Sequence, residues 1–162
     1  MDNPRQHKDG PGEPCCFVIF GATGDLTKRL LVPALYNLAA AGLLPDAFAI
    51  VGVVRTPMPD DEFRQMLSEG LKEFATRSVD AKIAERLFSC VTAVDAQTED
   101  PDSFRRLGVH LRRVEASRHT GGNRLFYLAT PPTAFGPIVR QLAQTGLTQE
   151  DERQPGWRRV IV

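Results

Sequence analysis

The sequence predicts an α/β protein with a doubly wound parallel sheet, covered by helices on both faces in three α/β/α layers. Two observations support this fold class. Short apolar runs, typical of strands buried on both faces of a parallel sheet, alternate with segments whose apolar residues recur at helical spacing. The first run also ends in a glycine-rich turn that leads directly into a helical pattern. Such alternation favours parallel strands joined by crossover helices.

The predicted elements follow one another regularly along the chain. We expect strands over residues 15–20, 48–54, 89–94, 124–129 and 157–162, in the sheet order 3-2-1-4-5 that is general for such folds. Helices are predicted over residues 24–41, 60–76, 79–88 and 135–144, with another beginning at residue 100. Apolar residues at helical spacing in the first helix are Leu26, Leu30, Ala34, Leu35 and Leu38. Pro33 should kink this helix, and Asp60 is expected to cap the second.

Composition bounds the class of protein. The 162 residues, 42% apolar and 25% charged, fit one ordinary globular domain. The 20 basic and 20 acidic residues cancel, so we expect neither a nucleic-acid nor a membrane partner. Residues 1–14 are polar and rich in proline and glycine, which predicts a disordered arm ahead of a domain over residues 15–162.

Cysteine and histidine usage favours a reduced, cytoplasmic protein without a metal site. The odd cysteine count, with Cys15 beside Cys16, does not form a disulfide framework. The three histidines lack ligand-like partners, and we expect His110 and His119 to lie at the surface.

The glycine-rich turn reads Gly21-Ala-Thr-Gly24-Asp-Leu-Thr-Lys28. Glycines let the backbone approach a pyrophosphate closely, and the following helix directs its N–H groups and positive dipole end at that anion. A strand before the turn and a helix after it therefore predict a dinucleotide site; a plain structural turn is the alternative. Asp25 would repel a pyrophosphate, so we expect it to cap the helix or to face away. Lys28 could offset this charge or lie in solvent.

Arg55 predicts the identity of the dinucleotide. NAD-binding domains carry an acidic residue at the end of the second strand, where it accepts the ribose hydroxyls. Here that position holds arginine, and the next carboxylate is Asp60. A guanidinium suits a 2′-phosphate, so NADP is predicted over NAD; a surface loop arginine is the alternative.

Another candidate loop, Ala129-Thr-Pro-Pro-Thr133, follows the fourth strand. Open α/β sheets bind ligands at the carboxyl ends of their strands, and prolines stiffen a loop. The residues are equally consistent with a wall beside a nicotinamide and with a rigid turn that starts a helix.

Four segments together indicate a family: Phe-Gly-Ala-Thr-Gly-Asp-Leu-Thr-Lys28, Val-Gly-Val-Val-Arg55-Thr, Arg124-Leu-Phe-Tyr-Leu-Ala-Thr-Pro-Pro-Thr133 and Trp157-Arg-Arg-Val-Ile-Val162. Over residues 15–162 the chain closely resembles the Rossmann-like coenzyme-binding domain of the glucose-6-phosphate 1-dehydrogenases. The cofactor residues that the resemblance implies are Gly21, Ala22, Thr23, Gly24, Asp25, Leu26, Thr27, Lys28, Arg55, Asp95, Ala96 and Phe135. At Phe135 this chain lacks the tyrosine hydroxyl of some family members.

The resemblance also implies an activity. The full enzyme would oxidise glucose 6-phosphate to 6-phosphogluconolactone with NADP⁺, the first step of the oxidative pentose phosphate pathway, and would be a homo-oligomer. No catalytic residue is assigned here, because the family's histidine base and substrate-phosphate residues lie beyond Val162. Natural domains rarely end inside an uncovered strand, so we expect a truncated chain that binds NADP but is inactive alone.

Two alternatives come from other classes of protein. Short-chain reductases and epimerases also use Gly-Ala-Thr-Gly turns, but Thr27 stands at their third glycine position. Their Tyr-x-x-x-Lys pair is absent, since Ala40 follows Tyr36 and Pro131 follows Tyr127 at that spacing. The other alternative is a non-catalytic nucleotide-binding module that ends naturally at Val162.

Overall fold

A computed structural model describes residues 10–162 and contains one five-stranded sheet. Its strands are β1 (Cys15–Phe20), β2 (Phe48–Val54), β3 (Val91–Asp95), β4 (Arg124–Leu128) and β5 (Arg158–Ile161). All neighbours pair in parallel, in the order β3-β2-β1-β4-β5. The predicted sheet order is thereby confirmed.

Helices cover both faces of this sheet. They are α1 (Val32–Ala40), α2 (Asp60–Phe74), α3 (Ala81–Ser89), α4 (Pro101–Arg118) and α5 (Phe135–Gln144). A π-helical segment, Thr27–Leu31, precedes α1, and a 3₁₀ turn, Pro132–Ala134, precedes α5. Helices α1 to α3 pack against one face, and α4 and α5 against the other. The predicted three-layer α/β/α class is confirmed.

The two central strands are buried on both faces, as their continuous apolar runs predict. Along β1, Phe17 and Ile19 contact the layer of α1 to α3, while Val18 and Phe20 contact the opposite layer. Opposite Ile19 lies Gly52 of β2, where an added Cβ would be 2.2 Å from Cζ of Phe63 in α2. The missing side chain at Gly52 therefore lets α2 lie close to the sheet.

Pro33, predicted to kink the first helix, lies in the first turn of α1 directly after a π-helical segment, and the buried face of α1 differs from the expected one. The five residues before α1 form a π-helical segment, which inserts an extra residue and rotates the helix faces that it joins. The buried face of α1 consequently runs through Val32, Leu35 and Tyr36. Three leucines of the predicted apolar pattern, Leu26, Leu30 and Leu38, are exposed and do not belong to this buried face.

The prediction that Asp60 caps α2 is wrong. The cap position is Pro59, with no side-chain cap bond, and Asp60 is the first helical residue. Its Oδ1 instead accepts a hydrogen bond of 2.8 Å from the backbone N–H of Ala93 in the edge strand β3. One turn further on, Arg64 Nε donates to the carbonyl of Val91 at 2.9 Å. Helix α2 thus satisfies backbone groups on the outer edge of β3.

His110 also differs from the expectation, because it is half-buried in α4 rather than at the surface. Its Nε2 lies 2.8 Å from Thr92 Oγ1. Burial lowers the pKa of His110 below its usual value, and the nearby Asp60 carboxylate opposes this effect only in part. The imidazole therefore anchors α4 to β3, whereas His119 is exposed, as predicted.

Most of the predicted disordered arm, residues 1–9, lies outside the described residues. Residues 10–14 form neither a helix nor a strand, but they contact the domain. The Gly12 N–H donates to the Leu43 carbonyl at 3.1 Å, and Trp157 Nε1 donates to a Glu13 carboxylate oxygen at 2.9 Å. Within residues 10–162, the helices are too short or too polar to cross a membrane.

Candidate functional site

A cleft of about 440 Å³ opens at the carboxyl ends of the strands. Four loop or turn segments line it, together with residues of α4 and α5: the turn after β1, the end of β2 with Arg55, the loop over residues 96–99 and the loop over residues 129–134. Strands β1 and β4 are neighbours, although the chain leaves β1 toward β2 on its other side. The cleft therefore lies at the topological switch point, where open α/β sheets bind ligands.

The turn after β1 approaches the end of β4 closely. Gly21 has a φ of +75°, a conformation that side chains disfavour. A Cβ at this position would lie 2.4 Å from the carbonyl oxygen of Ala129. Glycine is therefore required here for both backbone conformation and space.

Hydrogen bonds onto the Gly21 carbonyl close the turn. The Gly24 N–H donates to this oxygen at 3.0 Å, and the fully buried Thr27 donates its hydroxyl to it at 3.1 Å. Helical residues begin at Asp25, so the amino terminus of the helix opens beside Thr23 and Gly24 on the cleft. This is the arrangement that favours an anion.

Arg55 lies at the end of β2 and is exposed on the cleft. Its carbonyl accepts a hydrogen bond of 3.3 Å from Gln97 Nε2. Across the sheet register, Val54 is paired with Asp95, the last residue of β3. The end of β2 is thus joined to the loop that follows β3.

The proline-rich loop after β4 forms another wall of the cleft. It contributes Thr130, Pro131 and Thr133, and α5 contributes Pro137 and Ile138. The floor between these walls is apolar and is formed by Phe20, Val53 and Phe104. Pro132 begins the 3₁₀ turn before α5, which agrees with the interpretation of this loop as a helix start.

The structure brings together a subset of the residues implied by the resemblance. Those that line the cleft are Gly21, Thr23, Gly24, Arg55 and Ala96. Those implied residues that are outside its lining are Ala22, Asp25, Leu26, Thr27, Lys28, Asp95 and Phe135.

Several of these outer residues support the cleft from behind. Ala22 is fully buried, and Thr27 holds the turn. Lys28 is half-buried beside Gly70 of α2, where an added Cβ would lie 3.4 Å from the Lys28 Cβ. Asp25 faces away from the cleft: its side chain is 87% exposed, with a carboxylate oxygen 3.9 Å from Arg29 Nε.

Sequence reasoning missed the loop over residues 97–99. Gln97, Thr98 and Glu99 all line the cleft, next to the predicted Ala96. The available signal was their position immediately after the third strand, at the sheet edge where ligands bind. Their polar side chains match no dinucleotide motif, so spacing alone did not indicate them.

These residues fit a dinucleotide. The turn at Gly21 and Gly24, which carries no side chain at these two positions, and the amino terminus of the helix suit a pyrophosphate. The apolar floor suits a planar ring. Arg55, at the end of β2, offers a positive charge where such domains hold the adenosine ribose. Within the described residues, no group of three or more His, Cys, Asp or Glu side chains is placed to hold a metal ion.

Fold and cleft together define a dinucleotide-binding domain of the Rossmann type. Comparison with protein families identifies the family of dinucleotide-binding domains to which the chain belongs. Residues 18–162 match the family described as "Glucose-6-phosphate dehydrogenase, NAD binding domain". The chain belongs to this family, which decides against the short-chain reductase alternative.

Named relatives agree with the family. The chain is 36% identical over 149 residues to glucose-6-phosphate 1-dehydrogenase 2 of Mycobacterium bovis, covering 92% of this chain and 29% of that protein. It is 38% identical to the glucose-6-phosphate 1-dehydrogenase of Chlamydia muridarum, covering 92% of this chain and 30% of the relative. The chain thus spans less than a third of these proteins.

A solved structure shares the fold. It is described as glucose-6-phosphate dehydrogenase in complex with its substrate glucose-6-phosphate, and it superposes with a TM-score of 0.78 at 27% identity. The similarity covers 94% of this chain and 31% of that one. The α/β fold assigned to the sequence is thereby supported by an independent structure.

Proposed function

We propose that this chain binds NADP⁺ as the coenzyme domain of a glucose-6-phosphate 1-dehydrogenase. The observation that carries the choice of cofactor is the exposed Arg55 guanidinium at the end of β2, on the lining of the cleft. Family membership supports the dehydrogenase, which would convert glucose 6-phosphate to 6-phosphogluconolactone. A catalytic base and a substrate site come from residues that this chain does not contain.

The roles of this chain's residues follow from their positions. Gly21, Thr23 and Gly24 receive the pyrophosphate at the helix terminus, while Arg55 binds the 2′-phosphate. The proline-rich loop holds one side of the nicotinamide and limits the access of water to it. When bound, NADP⁺ supplies the acceptor for a hydride from the sugar.

The outer residues implied by the resemblance complete this proposal. Thr27 and Ala22 keep the turn in place, and Lys28 sets its distance from α2. We propose that Asp95 and Phe135 act from behind the lining, since each directly neighbours a residue of the cleft. Homo-oligomer formation and a cytoplasmic location belong to the same proposal for the full-length enzyme.

Arg55→Ala tests the choice of cofactor. Loss of a charge-assisted contact worth about 1.5–3 kcal/mol should weaken NADP⁺ binding roughly 10- to 100-fold and leave NAD⁺ affinity nearly unchanged. Isothermal titration of the chain with each dinucleotide measures both constants. Arg77→Ala, at an exposed arginine outside the cleft, is the matched control.

Two results would contradict the proposal. A wild-type chain that binds neither dinucleotide removes the coenzyme-domain function. Equal weakening of NADP⁺ and NAD⁺ by Arg55→Ala removes the assigned role of Arg55. A longer chain that carries the remaining length of the relatives should oxidise glucose 6-phosphate, whereas this chain alone should not.

A further inference from the structure

The cleft contains a second charge besides Arg55. Within residues 10–162, Arg55 and Glu99 are the only charged side chains on its lining. They follow the neighbouring strands β2 and β3, whose ends are paired through Val54 and Asp95. A carboxylate and a guanidinium therefore line the same cleft, after the ends of two adjacent strands.

Hydrogen bonds hold the loop that carries this carboxylate. The Gln97 N–H donates to Ser103 Oγ at 2.9 Å, and Gln141 Nε2 of α5 donates to the Thr98 carbonyl at 2.9 Å. Gln97 Nε2 also donates to the carbonyl of Arg55 at 3.3 Å. The loop is thus tied to α4, to α5 and to the residue predicted to bind the 2′-phosphate, so its position relative to that residue is defined.

The Glu99 side chain is also oriented within its loop. Thr98 donates its hydroxyl to Glu99 Oε1 at 2.8 Å. This hydrogen bond lowers the pKa of Glu99, and the Arg55 guanidinium acts in the same direction. Glu99 is therefore ionised at neutral pH and accepts hydrogen bonds without donating them.

A carboxylate at this end of the cleft acts on the two dinucleotides in opposite ways. It accepts hydrogen bonds from ribose hydroxyls, the role that an acidic residue after the second strand has in NAD-binding domains. It repels a 2′-phosphate, because both groups are negatively charged. In this chain the acidic residue comes from the loop after the third strand instead.

We propose that Glu99 is a cofactor-selecting residue that opposes Arg55, so that the cleft accepts NAD⁺ as well as NADP⁺. Arg55 binds the 2′-phosphate of NADP⁺, and Glu99 accepts the ribose hydroxyls of NAD⁺ and reduces the preference for NADP⁺. This inference rests on the proposed dinucleotide-binding function and deepens it by naming a second determinant of specificity.

Glu99→Gln tests the proposal, since it removes the charge and nearly preserves the shape. NADP⁺ should bind about two- to fivefold more tightly and NAD⁺ about two- to fivefold more weakly, the range expected for one exposed charge. Isothermal titration of the full 162-residue chain measures both dissociation constants. Higher ionic strength should shrink the gain for NADP⁺, because salt screens the repulsion that the variant removes.

The controls separate this inference from the function on which it rests. Glu73→Gln, at an exposed position of α2 outside the cleft, should leave the ratio of the two constants unchanged. A wild-type chain that binds neither dinucleotide overturns the proposed function itself. A chain that binds NADP⁺, but whose ratio is unaltered by Glu99→Gln, overturns only the role of Glu99. A variant that weakens both dinucleotides equally also overturns it.

Discussion

At the scale of single residues, Gly21 shows how one position links fold and site. Its positive φ turns the chain sharply after β1, and the absence of a side chain lets the turn lie against the carbonyl of Ala129. Ala129 opens the loop that follows β4, and this loop lines the cleft just as the Gly21 turn does. A substitution at Gly21 is therefore expected to displace both the turn and the loop.

Gly21→Ala is expected to lower the free energy of unfolding by at least about 2 kcal/mol, because it adds a backbone clash to an unfavourable φ. Gly42→Ala is the matched control, since Gly42 has a φ of +69° but no atom within 4 Å of an added Cβ. The control should lose only about 1 kcal/mol from the backbone term. Urea unfolding compares the two variants; equal losses would show that the clash with Ala129 is relieved cheaply.

At the scale of elements, helix α2 acts as a cover for an edge strand. The side chains of Asp60 and Arg64, one turn apart, bond the backbone of Ala93 and Val91. The backbone N–H and C=O groups of Val91 and Ala93 point away from β2. The alternate residues along β3 are the ones whose backbone groups bond to β2. The helix thereby blocks the addition of another strand at this edge.

A pair of alanine variants isolates this contribution. Asp60→Ala and Glu62→Ala each remove one negative charge from the first turn of α2, but only Asp60 bonds the Ala93 N–H. Asp60→Ala should therefore cost about 1–3 kcal/mol more stability than Glu62→Ala, the range for an unsatisfied backbone donor. Chemical unfolding of both variants gives the difference. Matching losses would mean that water replaces the carboxylate at no cost.

At the scale of the whole molecule, the two edges of the sheet differ. The β3 edge is covered by α2, whereas within the described residues no strand pairs with the outer edge of β5. Val160 and Ile161 remain 39% exposed there, and Val162 is 73% exposed. An open strand edge that ends in exposed apolar residues is a template for pairing with another chain.

The 162-residue chain is accordingly expected to self-associate through β5 at high concentration. Ile161→Lys should shift the equilibrium toward monomer, because a charged side chain disfavours edge-to-edge pairing. Val109→Lys, at an exposed apolar residue of α4, should leave association unchanged. Sedimentation equilibrium over a concentration series measures both. Association that responds to Val109→Lys and not to Ile161→Lys would place the contact elsewhere.

Much of the fold could be predicted from local patterns. The β2 strand and helix α5 begin and end at the predicted residues, because an apolar run and a helical repeat are properties of neighbouring residues. The buried face of α1 could not be predicted, since the π-helical segment before Pro33 changes the phase of the helix. Asp60 was misassigned for a related reason: its partner, Ala93, comes from a distant strand.

The sequence by itself determined the parallel α/β fold, the glycine turn after β1 and the position of Arg55 at the end of β2. These features depend on residue type and short spacing. Only the tertiary structure decided that Glu99 shares a cleft with Arg55 and that Gln97 and Gln141 hold its loop. Those bonds join residues 42 and 43 positions apart, Arg55 to Gln97 and Thr98 to Gln141. Their partners meet because the parallel strands end at the same edge of the sheet, where the packing of α4 and α5 fixes the loops.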